Sequence, residues 1–189
     1  MNLTREEARH RSEIIKVERY HVRIDVRGAD ADGATHFTSN TRVRFSTTEP
    51  DTFLDLLDGE IESVIVNGEE VEPEYDGSRI QLHGLHTHRE NLVIVTAKLP
   101  YQHTGQGLHR FVDPADGKVY LYTHFEAADS RRMYSVFEQP DLKAHVDFDV
   151  IAPSDWRVAS NQVHEDIREE EDGLLHDFAL TPRMSTYLT

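Results

Sequence analysis

Three histidines stand close together at His83, His86 and His88, and clustered imidazoles suggest a metal. The spacing works against that reading: on a strand or loop His83 and His88 project to opposite sides, whereas zinc takes three or four ligands converging on one point. The triplet is a surface loop in a chain carrying 12 His, or else a small metal site of a kind that a calorimetric titration reveals. No Cys is present, which excludes thiolate nucleophiles, disulfides and Cys-ligated zinc. The sequence also lacks H-E-x-x-H, G-x-S-x-G and a Gly-rich phosphate loop, and the pair Gly105 and Gly107 is too short to stand for one. These residues build no self-contained active site, and no metal or cofactor is expected within the chain.

Charge narrows the partners. With 35 Asp+Glu against 20 Lys+Arg the formal net charge is -15, and no Lys/Arg stripe offers a footing for a phosphate backbone. Neither nucleic acid nor an anionic membrane is an expected partner. The opening residues are charged and lack the apolar stretch of a signal peptide, and no apolar run reaches the roughly 18 residues of a spanning helix. A cytoplasmic location is the expectation. Apolar residues make up 38% of the chain, with 8 Phe, 7 Tyr and 1 Trp spread along it, which is enough to bury a core. Residues 1–189 suit one domain.

The elements that would position any site are mostly strands. Thr4 stands three residues before Glu7 in capping-box spacing, which predicts a short, weakly amphipathic helix over 4–15. From Val17 the period changes to two: Tyr20, Val22, Ile24 and Val26 share one face, and His21, Arg23, Asp25 and Arg27 the other. Residues 36–47 repeat the alternation, so 17–27 and 36–47 read as an antiparallel pair. Asn67 and Gly68 between two apolar runs predict a hairpin. Further strands are expected at 80–82, 92–99, 118–125, 144–151, 157–160, 174–180 and 184–188. The acidic run 165–172 reads as a solvated hairpin tip rather than a recognition patch. Many short strands with regular turn signals and little helix point to an all-β, two-sheet sandwich.

From Gly105 to Asn161 the sequence resembles the non-catalytic N-terminal domain of zinc aminopeptidases of the aminopeptidase N type. The resemblance rests on Gly107 and Leu108, on Tyr120–Phe125 leading into Glu126 and Asp129, on Arg131 and Arg132, on Phe137 to Ala144 and on Val158 to Asn161. Weaker similarity reaches Tyr20, Phe53, Ile61 and Leu92 and so covers nearly the whole chain. It implies a mostly antiparallel, saddle-shaped β-sandwich packed on a thermolysin-like catalytic domain. That domain carries the zinc and the H-E-x-x-H and G-x-M-E-N motifs, both absent here. A chain cut between domains also fits the abrupt end at Thr189. The rival expectation is a free-standing β-sandwich module binding carbohydrate or protein.

Within the family pattern, the Glu or Gln that follows the strand falls on Glu126. The resemblance gives it a role in recognising the substrate's free α-amine, through a charge-assisted hydrogen bond from the ammonium to the carboxylate. The same position is also consistent with an ordinary strand-end carboxylate. His124 stands where the family commonly has Gln; two residues from Glu126 on a continuous strand, it shares that face and lines the same cleft, or else simply faces solvent. Glu138 stands where the family usually has Asp, which leaves the turn into Pro140 intact and alters its hydrogen bonds. Asp129, Arg131 and Arg132 suggest one helical turn, with Phe125, Met133, Tyr134 and Phe137 on its apolar side and some of them exposed without the catalytic domain.

Overall fold

The computed structural model describes residues 3–189. Thr4 caps the first helix: its hydroxyl accepts from Glu7 N at 3.1 Å, and the Glu7 carboxylate accepts from Thr4 N at 2.8 Å. This box starts α1 (Arg5–Ile14), which leads directly into β1 (Ile15–Asp25). There follow β2 (His36–Thr47), β3 (Thr52–Asp55), β4 (Glu60–Val66), β5 (Glu69–Val71), β6 (Arg79–Leu82) and β7 (Asn91–Pro100). After them come β8 (Gly107–Val112), β9 (Val119–His124), β10 (His145–Ala152), β11 (His164–Glu170) and β12 (Gly173–Phe178). Among the described residues the chain is all-β apart from α1 and short 3-10 turns, and all the strand pairs but one are antiparallel.

Eight strands form one sheet in the order β11-β12-β10-β1-β2-β7-β4-β5, and the exception is the parallel pairing of β1 with β10. The alternation read along β1 holds: Tyr20, Val22, Ile24 and Val26 are buried. A single register row shows how the core face is built, running Phe148, Val22, Thr41, Val95, Val64 across five strands. The second layer is not another broad sheet. It consists of two short ribbons, β3–β6 and β8–β9, with the segment from Met133 to Phe137 between them. Leu54, Ile80 and Leu82 of the first ribbon are fully buried. Tyr134 sits in edge contact with Tyr20, Phe125 and Phe148 at ring distances of 6.0–6.2 Å.

Asn67 and Gly68 both take positive φ (54° and 93°), as a type I′ turn requires between β4 and β5. Two expected strands do not form. Residues 157–160 follow a turn at Pro153, closed by Trp156 N donating to Pro153 O at 3.0 Å, and join no sheet. At the end of the chain only Met184 bridges to Ala144; Pro182 has no N–H to extend a ladder, and Thr186–Leu188 curl into a 3-10 turn. The acidic run instead lies largely on β11, the outermost strand, every residue of which is exposed. Phe125, Met133, Tyr134 and Phe137, expected to be partly bare, are all buried, because the 3-10 turn Ser130–Arg132 folds them onto the sheet.

Candidate functional site

The ribbon β8–β9 presents two unlike faces. In its register His109 opposes Tyr122 and Phe111 opposes Tyr120 on one side, while Leu108 and Leu121 turn toward the body. Arg110 ties the ribbon down by donating from Nε to Ala29 O at 2.8 Å. The aromatic side stays open: Phe111, Tyr120 and Tyr122 are 45–50% exposed, and the His109 and Tyr122 rings lie 4.7 Å apart. Beside the ribbon a groove of about 920 Å³ opens over the sheet, floored by Phe125, Met133 and Phe148 and walled by Trp156 and Leu188.

At the ribbon's base Gly107 pairs with His124 and takes φ 63°. A Cβ there would stand 2.7 Å from Cβ of Arg132, so only glycine lets the 3-10 turn press against the ribbon. β9 ends at His124, and the strand does not continue to Glu126. Alternation persists one step further: Phe125 is buried between an exposed His124 and an exposed Glu126, followed by a cis Glu126–Ala127 peptide. Asp129 N donates back to Phe125 O at 3.0 Å, and Arg132 Nε donates to Asp129 Oδ1 at 2.7 Å, closing the turn that carries Glu126. Neither Glu126 nor His124 has a side-chain hydrogen bond or ion pair among the described residues. The structure thus brings both to one open end of the ribbon, with a carboxylate available to a cationic group.

The histidine triplet converges on nothing. His83 Nδ1 lies 3.0 Å from Asp51 and His86 Nε2 2.6 Å from Arg89. Among the described residues no group of three or more His, Asp or Glu side chains is arranged to hold a metal ion.

Sequence reasoning missed the polar cluster behind the turn. Glu138, treated as a detail of the Pro140 turn, is 5% exposed. Burial pushes its carboxyl up to about 7, against the pull of hydrogen bonds from Arg131 N and the Thr186 hydroxyl. Next to it Asp55 accepts from Glu138 N at 3.1 Å and faces Arg11 Nη2 at 3.5 Å. Burial shifts both Arg11 and Asp55 toward neutrality in spite of their mutual attraction. No spacing motif marks this cluster, because its members come from α1, β3 and the segment after the 3-10 turn.

Residues 19–188 match the Peptidase M1 N-terminal domain family. The chain is 42% identical to aminopeptidase N of Streptomyces lividans over its whole length, covering 22% of that protein. It is 30% identical to probable aminopeptidase 1 of Saccharolobus solfataricus, with 91% of this chain and 21% of that one aligned. The chain therefore spans about a fifth of the length of these relatives. In fold it resembles an M1 zinc metallopeptidase from Deinococcus radiodurans, with a TM-score of 0.73 at 16% identity over 92% of this chain and 41% of the other. With nearly every residue from β1 onward inside the match, the chain belongs to the Peptidase M1 N-terminal domain family.

Proposed function

We propose that this chain is the N-terminal, non-catalytic domain of a cytoplasmic aminopeptidase N-type zinc metallopeptidase. In this reading the open end of the β8–β9 ribbon faces the catalytic domain, Glu126 binds the substrate's α-ammonium and His124 lines the same cleft. The observation that carries it is an exposed carboxylate without a partner among the described residues, at the one turn where family resemblance expects amine recognition. The uncovered aromatic face of the ribbon supports a domain contact there, since large exposed apolar patches mark interaction surfaces. Zinc and the groups that activate water belong to the rest of the parent chain.

An aminopeptidase must tell a free amine from an internal amide. A fixed carboxylate does so because the ammonium gives it a charge-assisted hydrogen bond that a neutral amide gives only weakly. Such bonds contribute about 1.5–3 kcal/mol, so Glu126→Ala in the full-length enzyme is expected to lower kcat/KM roughly 10–150-fold. Glu126→Gln keeps an acceptor oxygen and loses less. Both variants retain the wild-type melting temperature, because the side chain is exposed. Steady-state kinetics beside thermal melts test this, and a kcat/KM for Glu126→Ala equal to wild type overturns it.

A further inference from the structure

Among the described residues the Glu126 side chain is exposed and has no hydrogen-bond partner, so its aim depends on the turn beneath it, which the Arg132-to-Asp129 bond closes on its own side. That turn is also held from behind. Arg131 N donates to Glu138 Oε2 at 2.8 Å, and Leu57 N donates to Arg131 O at 2.7 Å, so the turn is fixed through Arg131 on both its backbone polar groups. The other carboxylate oxygen, Oε1, accepts from the Thr186 hydroxyl at 3.0 Å, which belongs to the 3-10 turn Thr186–Leu188. Ser130 Oγ adds a second link between the two turns, donating to Thr186 O at 3.1 Å. Glu138 is itself immobilised: its N–H donates to Asp55 Oδ2, and Val136 and Asp55 exchange backbone hydrogen bonds at 2.7 and 3.0 Å.

A buried carboxylate costs several kcal/mol unless its oxygens are satisfied, and here the two donors that satisfy it belong to two different turns. We propose that Glu138 is a positioning residue for Glu126, clasping the turn at residues 130–132 to the turn at residues 186–188 so that the exposed carboxylate is held in one orientation. This rests on the reading of Glu126 as the amine-binding group. Only five positions separate Glu126 from Arg131, and the Asp129-to-Phe125 hydrogen bond takes up the slack between them. Displacing a binding group by about 1 Å costs up to roughly 100-fold, so loosening the clasp registers at the amine without any contact to it.

The test uses the full-length enzyme and two inhibitors, leucine hydroxamate and the same hydroxamate lacking the α-amine; the ratio of their inhibition constants measures how well the amine is read. Glu138→Leu removes both acceptors and is expected to cut the amine preference roughly 5–50-fold, leaving affinity for the desamino compound within about twofold. Glu138→Gln, which still offers an oxygen to Arg131 N, restores most of the preference. If Glu138→Leu does not fold, Thr186→Val carries the test, lowering the preference in a folded protein by removing the hydroxyl that donates to Glu138 Oε1. Glu126→Ala is the control. If it abolishes the preference while the folded Glu138→Leu or Thr186→Val variant keeps it in full, Glu138 is structural only and the inference is wrong. If Glu126→Ala itself leaves the preference intact, the amine reading fails and takes this inference with it.

Discussion

At the scale of single residues, the outer face of the sheet carries an ion-pair ladder between its two parallel strands. Register puts His21 opposite Asp147 and Arg23 opposite Asp149. Arg19 grips Asp147 at 2.7 and 2.9 Å, Arg23 grips Asp149 at 2.7 and 3.0 Å, and His21 touches both carboxylates. Hydrogen bonds to Asp147 and then Asp149 raise His21 from 6.5 to about 9. Burial works against ionisation of the two aspartates, yet bonds from His21 and the arginines hold them below 3.8. Because the folded pKa of His21 is raised, its stabilisation is complete below 6.5 and is lost as pH climbs through 9; that of the aspartates is present above 3.8 and lost in acid. With the imidazole side chain 29% exposed, His21→Gln is expected to cost about 1–2 kcal/mol near pH 6. Urea unfolding should show that cost shrinking toward zero by about pH 10. The alternation that separates this charged face from the apolar one is plain in the sequence, but the parallel partner 126 residues away is not.

At the scale of elements, α1 docks through a charge. Its one buried residue is Arg11, whose guanidinium lies 3.9 Å from the Phe53 ring centre and 5.4 Å from that of Phe137, beside Asp55. Removing the cation leaves Asp55 buried without its countercharge, so Arg11→Leu is expected to destabilise the chain by about 3–5 kcal/mol. Asp55→Asn in the same background should recover part of that, and a double-mutant cycle by denaturant unfolding measures how much. The capping box made the helix legible, but not its docking, since helical patterns are read from apolar stripes and the anchor here is an arginine. Strands with clean alternation and the Asn67–Gly68 turn could be read directly. β8 was missed because Gly107, His109 and Arg110 interrupt any apolar pattern, and β11 read as a tip because an edge strand exposed on both faces has no apolar period. Glu126 is a candidate through family resemblance alone; nothing in its spacing singles it out.

At the scale of the whole molecule, the core spans the large sheet and its two ribbons, with no metal ligand set among the described residues. Excess chelator is therefore expected to leave the melting temperature of this chain unchanged, and a fall of several degrees would revive the histidine triplet as a ligand group. The sheet's strand order has a further consequence, for synthesis. β1, β2 and β7 are neighbours joined by antiparallel pairing, so they can assemble as the chain emerges. The other edge of β1 must wait for β10, which begins 120 residues after β1 ends and arrives by a parallel pairing that no tight turn can nucleate. Until then the apolar faces of Tyr20, Val22 and Ile24 lie beside an unpaired strand edge, the condition in which nascent chains aggregate or recruit chaperones. A strand made late in this domain, not an early one, closes the seam beside β1.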